Sequence, residues 1–312
     1  MEEYNKIIES INVRFLKSRA VKVIQPLTVM NYYDVSNTLL LLLKGEMYWG
    51  EDKAKLNEGD LLFVPGGKPV SISFGSKFSA QLTNEDLLSQ REKYLNSLKT
   101  TPSFTQAISE GYETVFCYIS FETKVFDSVN FFASLDFPAF PISECPSLAS
   151  VVKETVIEDL AEDAGKNRVI GLNTDRAVIE IVRYVLHKNL FVEKLATNST
   201  YFKDPRLLDI FAYIKNHLGG DLSNKMLANV ANVSEDYVGQ YFKMLTGINP
   251  QDYIEYQRME QAVELLRTTK KSIREIGVDV GYKDTAYFCR RFKMMFGIPA
   301  GKMRRRESLM NI

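Results

Sequence analysis

Histidine is scarce in this chain of 312 residues, which contains only His187 and His217. Both lie where a helix is predicted to end, outside the strand-rich region of the chain. A metal site that uses several histidines cannot be built from two such residues. The three cysteines, Cys117, Cys145 and Cys289, show no CxxC spacing and cannot all be paired. The sequence therefore predicts no metal, no cofactor and a reducing compartment.

Long apolar runs and phosphate-binding loops are also missing. The longest apolar run covers residues 39–43, well short of the ~18 residues that a membrane helix needs. The acidic, polar first residues do not fit a signal peptide. There is no Gly-rich phosphate loop and no Cys/His cluster, which argues against an enzyme. We therefore expect a soluble cytoplasmic protein that is not an enzyme.

The net charge of zero hides an asymmetry along the chain. Residues 205–312 carry 17 Lys and Arg against 12 Asp and Glu, whereas the remainder carries 22 against 27. A basic domain joined to an acidic one suggests a nucleic-acid partner for the basic one only. The run Arg304, Arg305 and Arg306 either touches phosphates or forms a solvated tail. With 45% hydrophobic residues, a chain of this length can form two cored domains.

The sequence between residues 227 and 303 contains the same pattern twice. From Tyr237 and Tyr287 onward the copies are 50 residues apart. Before that they are 49 apart, so the turn of the second copy is one residue longer. Each copy predicts a helix, a tight turn and a second helix, with Ser234 and Asp284 as N-caps of the second helices. The side chains that we expect to be buried on the second helices are Val238, Phe242, Leu245, Phe288, Phe292 and Met295.

Two helix-turn-helix units can present their second helices to the DNA major groove. Gly247 and Gly297 stand where a left-handed residue ends such a helix. Between the copies, residues 251–268 predict one helix about 26 Å long. Such a rod could hold the units at successive major grooves, ~34 Å apart, if the duplex bends. A plain helical bundle would show the same apolar periodicity, so periodicity alone does not decide.

The second copy contains the segments SIREI (272–276), VGYKD (280–284) and YFCRRFK (287–293), followed by Gly297. These segments closely resemble the signature of AraC/XylS-type transcription regulators, over about the last third of the chain. Two residues depart from the pattern. Gly277 stands where that family usually has Ala, and Pro299 comes one place early.

The resemblance implies that the second helix of each copy contacts DNA. Gln240 is then the base reader of the first unit, suited to adenine, and Arg290 is that of the second, suited to guanine. Gly239 offers no side chain, and Cys289 lies at the corresponding position of the second copy. The predicted DNA-binding residues are Asp236, Gln240, Lys243, Lys283, Thr285, Ala286, Arg290 and Lys293. For Arg290 the alternative is a surface ion pair, worth little.

Residues 20–80 predict short strands separated by turns such as Gly45 and 65–67. This order resembles a cupin barrel, which the AraC/XylS-type family commonly places before its DNA-binding end. Tyr32, Tyr33 and Trp49 either line a small-molecule site at the barrel mouth or pack in the core. Residues 86–99 predict a helix, and residues 113–121 and 125–132 predict strands.

From residue 148 the pattern becomes helical. A helix is predicted after a cap at Asn173 or Thr174, with Val178 and Val182 on its apolar face. It either pairs two subunits, as the resemblance suggests, or packs on the barrel. The predicted domains are a cupin-like sensor and dimerisation domain (1–195), a linker (196–204) and a DNA-binding domain (205–312).

The predicted fold class is α+β, a cupin-like β-barrel with helices followed by an all-α domain of two helix-turn-helix units. The predicted function is a sequence-specific transcription regulator that binds double-stranded DNA and responds to a small-molecule effector. Its further expected partners are a second copy in a homodimer and RNA polymerase. The alternatives are a ligand-independent architectural DNA-binding protein and a cupin enzyme. The effector and its binding residues cannot be identified from the sequence.

Overall fold

A computed structural model of the chain describes residues 8–9, 11–32, 34–83, 86, 91–125, 129–134, 137–191, 204–246 and 248–304. Two compact units are present. The first contains residues 11–124 and 130–191, and most of the second is residues 204–304. The first unit is rich in strands and the second is helical, so the predicted α+β class is confirmed. None of the helices in the described ranges is long and apolar enough to cross a membrane.

In the described part of the first unit, the strands form two sheets. The larger has the order β12-β6-β3-β10-β1-β9 with β11 paired to β10, and the smaller has the order β5-β4-β7-β2-β8. The strands are β1 (Ile11–Val23), β2 (Leu27–Tyr32), β3 (Asn37–Lys44), β4 (Met47–Trp49), β5 (Ala54–Leu56), β6 (Leu61–Val64), β7 (Val70–Phe74), β8 (Ala80–Thr83), β9 (Leu98–Thr101), β10 (Val115–Val125), β11 (Val129–Asn130) and β12 (Phe140–Ile142). Strand β2 pairs with β8 in parallel and with β7 antiparallel. Closure of these sheets into a cupin barrel remains a prediction.

The longest apolar run of the sequence is the centre of the larger sheet. Leu39 to Leu42 belong to β3, which lies between β6 and β10, and all four are buried. A strand covered on both faces requires such a continuous run rather than an alternating one. The turn after it needs Gly45, which has φ +90° and whose Cβ would lie 2.1 Å from the Glu113 carbonyl oxygen. The strand and the turn predicted here are both confirmed.

Two predictions for the strand-rich part of the first unit are wrong, each at its C-terminal end. The helix expected over residues 86–99 ends two residues early, since α1 (Arg91–Ser97) is followed by β9, in which Leu98 to Thr101 pair with β1. Phe131 and Phe132, expected in a strand, begin the one-turn helix α3 (Phe131–Ser134) after the short α2 (Phe104–Ser109). Both rings are buried and lie 4.9 Å apart. Neighbours in a strand point to opposite faces, so a helical turn is what lets both enter one core.

The helices α4 (Pro146–Leu160) and α5 (Lys166–His187) pack against each other and against β1. The cap predicted at Asn173 or Thr174 is wrong, since α5 begins at Lys166. Thr174 is buried inside the helix, and its hydroxyl donates to the Ile170 carbonyl at 2.7 Å. Val178 and Val182 are also buried within this unit. Of the two alternatives for these side chains, packing inside their own chain is the one observed.

In its described part the second unit consists of helices that follow the prediction closely. They are α6 (Pro205–Asn216), α7 (Asn224–Ala231), α8 (Glu235–Thr246), α9 (Pro250–Thr268), α10 (Ile273–Asp279) and α11 (Thr285–Phe296). The rings of Phe211, Phe242 and Tyr253 join α6, α8 and α9, with centroids 5.2–5.7 Å apart. Most of the predicted linker 196–204, together with Tyr33, Gly247, Arg305 and Arg306, lies outside the described residues.

Candidate nucleic-acid interface

The pairs α7–α8 and α10–α11 are two helix-turn-helix units. Each first helix ends near a left-handed residue, Asn232 with φ 53° and Gly281 with φ 93°. Two residues separate Asn232 from α8, and three separate Gly281 from α11. The extra residue predicted from the 49- and 50-residue offsets is therefore in the second turn.

The second helix-turn-helix unit, α10–α11, has well-formed helix ends. Ser272 and Glu275 form a capping box at the start of α10, and the Asp284 carboxylate accepts from the Ala286 and Tyr287 N–H groups at 2.7 and 3.1 Å. These two backbone donors hold the pKa of Asp284 below its usual value, and nearby Arg290 adds to the effect. Gly297 ends α11 in the left-handed region with φ 73°. The caps predicted at Asp284 and Gly297 are confirmed.

The two units fill their cores in complementary ways. Gly277 of α10 faces the ring of Phe288 in α11, and a Cβ at residue 277 would lie 3.3 Å from Phe288 Cδ1. The corresponding positions of the first unit hold Ala228 and Val238, both buried. The larger Phe288 on α11 is thus accompanied by the smaller Gly277 on α10, whereas the smaller Val238 on α8 is accompanied by the larger Ala228 on α7. This explains why glycine replaces the alanine that the resemblance predicts at residue 277.

The buried stripes are nearly those predicted. Val238, Phe242, Leu245, Phe288 and Phe292 are buried. At the end of α11 the prediction is one residue off, since Phe296 is buried and Met295 is only half-buried. The ring of Phe296 packs at a tilt against Phe292, with centroids 4.5 Å apart, because a position four residues on lies on the same helix face.

The predicted DNA-binding side chains lie on the opposite face of these helices. Those that are exposed are Asp236, Gln240 and Lys243 on α8, Lys283 in the turn, and Ala286, Arg290 and Lys293 on α11; Thr285 is half-buried, as are Gly239 and Cys289. The Arg290 guanidinium lies 5.9 Å above the ring of Tyr287. Arg290 is exposed, so this contact leaves the guanidinium donors open to solvent. The geometry suits a planar, bidentate hydrogen-bond acceptor.

Sequence reasoning missed two pairs of exposed residues on the same helices. Tyr237 and Tyr287 are 44% and 46% exposed, and Met244 and Met294 are 63% and 67% exposed. Each pair is 50 residues apart, so the same position of each unit presents an apolar side chain to solvent. The repeat already contained this signal, since Tyr and Met recur at one helical spacing beside Gln240 and Arg290.

Comparison with known proteins identifies the helical compact unit, which contains both helix-turn-helix pairs. A helix-turn-helix domain family matches residues 227–306. An HTH-type transcriptional regulator of Haemophilus influenzae is 22% identical over 271 residues, which are 86% of this chain and 86% of that protein. The transposon Tn10 TetD protein of Escherichia coli is 30% identical over 114 residues, 36% of this chain and 83% of that protein.

The crystal structure of ToxT from Vibrio cholerae O395 is similar over 96% of this chain and 99% of that chain, with a TM-score of 0.52. At 10% identity this similarity concerns the fold alone. The family that the matches identify consists of transcription regulators, as expected for a chain that is not an enzyme. From the repeated helical pattern, the two units that it forms and these matches, we conclude that the chain belongs to the AraC/XylS-type family of DNA-binding transcription regulators.

Proposed function

We propose that the exposed faces of α8 and α11 bind operator DNA with divided roles. The observation that carries this proposal is the position of Arg290, exposed on α11, supported by the Tyr287 ring and flanked by Lys283 and Lys293. Arg290 then contacts a guanine edge and the lysines contact phosphates. In the first unit Gln240 reads an adenine and Lys243 contacts phosphate, with Thr285 and Ala286 opening α11 beside the groove.

Affinity measured against salt on selected operator and random DNA tests these roles. Arg290→Ala should cost about 1–3 kcal/mol on the operator and relax specificity at one base pair. Lys293→Ala should weaken binding to both DNAs alike and lower the salt slope by about one. Lys215→Ala, an exposed lysine of α6, is the charge-matched control and should change neither. Equal losses of affinity on both DNAs for Arg290→Ala would mean that α11 contacts the DNA phosphates but reads no base.

The strand-rich unit is proposed to sense a small-molecule effector. Tyr32, Trp49, Tyr94 and Tyr118 are only partly buried and pack against one apolar core cluster, which leaves aromatic surface for a ligand. Trp49 is the only tryptophan of the chain, so its emission reports this unit alone. A metabolite screen should find a compound that changes both this emission and the melting temperature. A screen without such a compound, together with operator-specific binding, would favour a ligand-independent DNA-binding protein.

A homodimer is proposed to form through an apolar patch of α4 and α5 rather than through Val178 and Val182. Ile157, Leu160, Val169 and Leu172 are 39–54% exposed. Exposed side chains of both signs accompany them on these helices, so that a second copy can pair with the patch. Ile157→Glu with Leu172→Glu should sediment as a monomer. Phe78→Ser, at the 84% exposed Phe78 of the first unit, is the control and should sediment as wild type does.

The predicted contact with RNA polymerase is part of the same proposal. Transcription in vitro from the selected operator, with and without the protein, tests whether bound protein activates or represses. A variant that keeps its operator affinity and loses activation would identify a polymerase-contacting surface.

A further inference from the structure

We infer that a junction of charged and aromatic side chains fixes the second helix-turn-helix unit relative to the first, so that the protein selects the spacing between two half-sites. This rests on the proposed DNA-binding faces of α8 and α11. The junction consists of the loop residues Leu218, Gly219 and Gly220, Glu255 and Arg258 on α9, Gly281 and Tyr282 in the second turn, and Arg291 on α11.

The first connection joins the rod α9 to the second recognition helix. Arg291 donates two hydrogen bonds to the Glu255 carboxylate, one from Nε to Oε1 and one from Nη2 to Oε2. The Tyr282 hydroxyl lies 3.5 Å from Glu255 Oε1. Two parallel bonds between planar groups define orientation as well as distance. Both charged side chains are largely shielded, with 30% and 20% exposed, so solvent screening is reduced.

The second connection joins α9 to both units. Arg258 donates from Nε to the Leu218 carbonyl at 2.9 Å and from Nη2 to the Gly220 carbonyl at 3.1 Å. These carbonyls belong to the loop that leads from α6 into α7. The same guanidinium lies 5.9 Å above the ring of Tyr282, in the turn of the second unit. The Arg258 side chain therefore connects α9 to two other segments, the loop and the turn, and burial lowers the pKa of Arg258.

Two glycines bring these segments into close contact. A Cβ at Gly281 would lie 2.7 Å from both Arg258 Nη2 and the Leu218 oxygen, and the φ of +93° also favours glycine. A Cβ at Gly219 would lie 2.6 Å from the Asp279 oxygen. The loop before α7 and the turn after α10 thus have no space for an intervening side chain. Close-packed segments of this kind move together rather than slide.

The first helix-turn-helix unit has no equivalent of this arrangement at the corresponding positions. The position of Arg291 is occupied by Tyr241, whose ring lies 5.0 Å from the Arg206 guanidinium of α6. Where the second turn has Tyr282 and Lys283, the first has only Val233. Tyr282 stands where the first turn has Val233, so only the second turn supplies a ring over which the Arg258 guanidinium lies.

The consequence for DNA is a preference for one spacing. Moving a half-site by one base pair shifts it by about 3.4 Å and rotates it by roughly 35°. A pair of units held by the junction cannot follow that rotation, so the duplex must twist instead, at an energetic cost. Glu255 and Arg258 act as positioning residues, because they reach the DNA only through α11.

The test is a spacing profile measured with the full chain. Operator duplexes selected from random DNA are rebuilt with one base pair added to or removed from the segment between the half-sites. Wild type should lose on the order of tenfold in affinity on both altered duplexes. Glu255→Gln and Arg258→Met should bind the original operator more weakly but discriminate among the three duplexes by no more than about threefold.

Ser272→Ala is the control, since it weakens the α10 cap without touching the junction and should keep the wild-type profile. Glu255→Gln keeps the size of the side chain but replaces one accepting oxygen by an NH2 donor, so only one of the two Arg291 hydrogen bonds can form. It therefore tests the inference even if Arg258→Met does not fold. Variant profiles parallel to the wild-type profile would overturn the inference, as would a flat wild-type profile. Failure of the proposed DNA face is a different result, in which wild type shows no preference for any operator over random DNA.

Discussion

Replacing Gly277 by alanine tests the complementary packing of the two units. Alanine in a helix interior gains up to about 1 kcal/mol over glycine in propensity. Here the new Cβ would lie 3.3–3.6 Å from three atoms of Phe288. That ring has Tyr282 at 5.4 Å and Phe292 at 5.8 Å and is fully buried, so it has nowhere to move. Overpacking costs about 1–3 kcal/mol, and we expect a net loss of ~0.5–2 kcal/mol.

The sign should reverse when the ring is removed. In a Phe288→Leu background, Gly277→Ala should stabilise by ~0.5–1 kcal/mol, giving a coupling energy of about 1–3 kcal/mol in the double-mutant cycle. Urea unfolding followed by circular dichroism measures the cycle. Trp49 emission reports the other unit and should not change with these substitutions. If Gly277→Ala stabilises by the same amount with Phe288 present, contact with the ring does not explain the glycine.

Three further predictions concern burial, a turn and pH. Val182→Glu should lower the unfolding free energy by roughly 3 kcal/mol or more, because it places a charge in the core, whereas Phe78→Glu, at an 84% exposed position, should leave it nearly unchanged; thermal denaturation distinguishes them. Gly45→Ala should cost about 1–3 kcal/mol through its positive φ alone, seen as a shift in the Trp49 unfolding transition. Folding lowers the pKa of Asp284, so its cap stabilises the protein fully above the unfolded pKa of ~3.9. This stabilisation is lost as the pH falls through the pKa of the folded state. Asp284→Asn should cap at every pH, so the stability difference between wild type and this variant should vary with pH only below about 5.

The sequence predicted the elements whose local chemistry agrees with their packing. The helices of the second unit carried caps such as Asp284 and Ser272 as well as an apolar stripe, so two independent signals indicated the same boundaries. The central strand needed only its run of leucines. Where tertiary packing decided, prediction failed. Phe131 has the β propensity of an aromatic residue, but the adjoining core accepts two neighbouring rings only from a helical turn.

The candidate site was predictable in part for the same reason. Side chains opposite a buried stripe must be exposed, so Gln240 and Arg290 followed from periodicity and from the family resemblance. The ion pair of Glu255 with Arg291 could not be predicted, because it joins helices 36 residues apart whose crossing is set by the whole core. The sequence showed glycine at residue 277 in place of the expected alanine, but the reason for it is the size of the Phe288 ring on α11.

The exposed methionines of α8 and α11 allow each of these helices to be probed by chemical oxidation without any mutation. Peroxide converts an accessible thioether to a sulfoxide, and mass spectrometry locates the added oxygen. Met244 and Met294 stand in solvent, while Met47, Met259 and Met303 are buried and serve as unreactive internal references. A duplex that covers α8 or α11 would slow oxidation of the methionine on that helix alone. The chain therefore carries two separate reporters of occupancy, one for each unit.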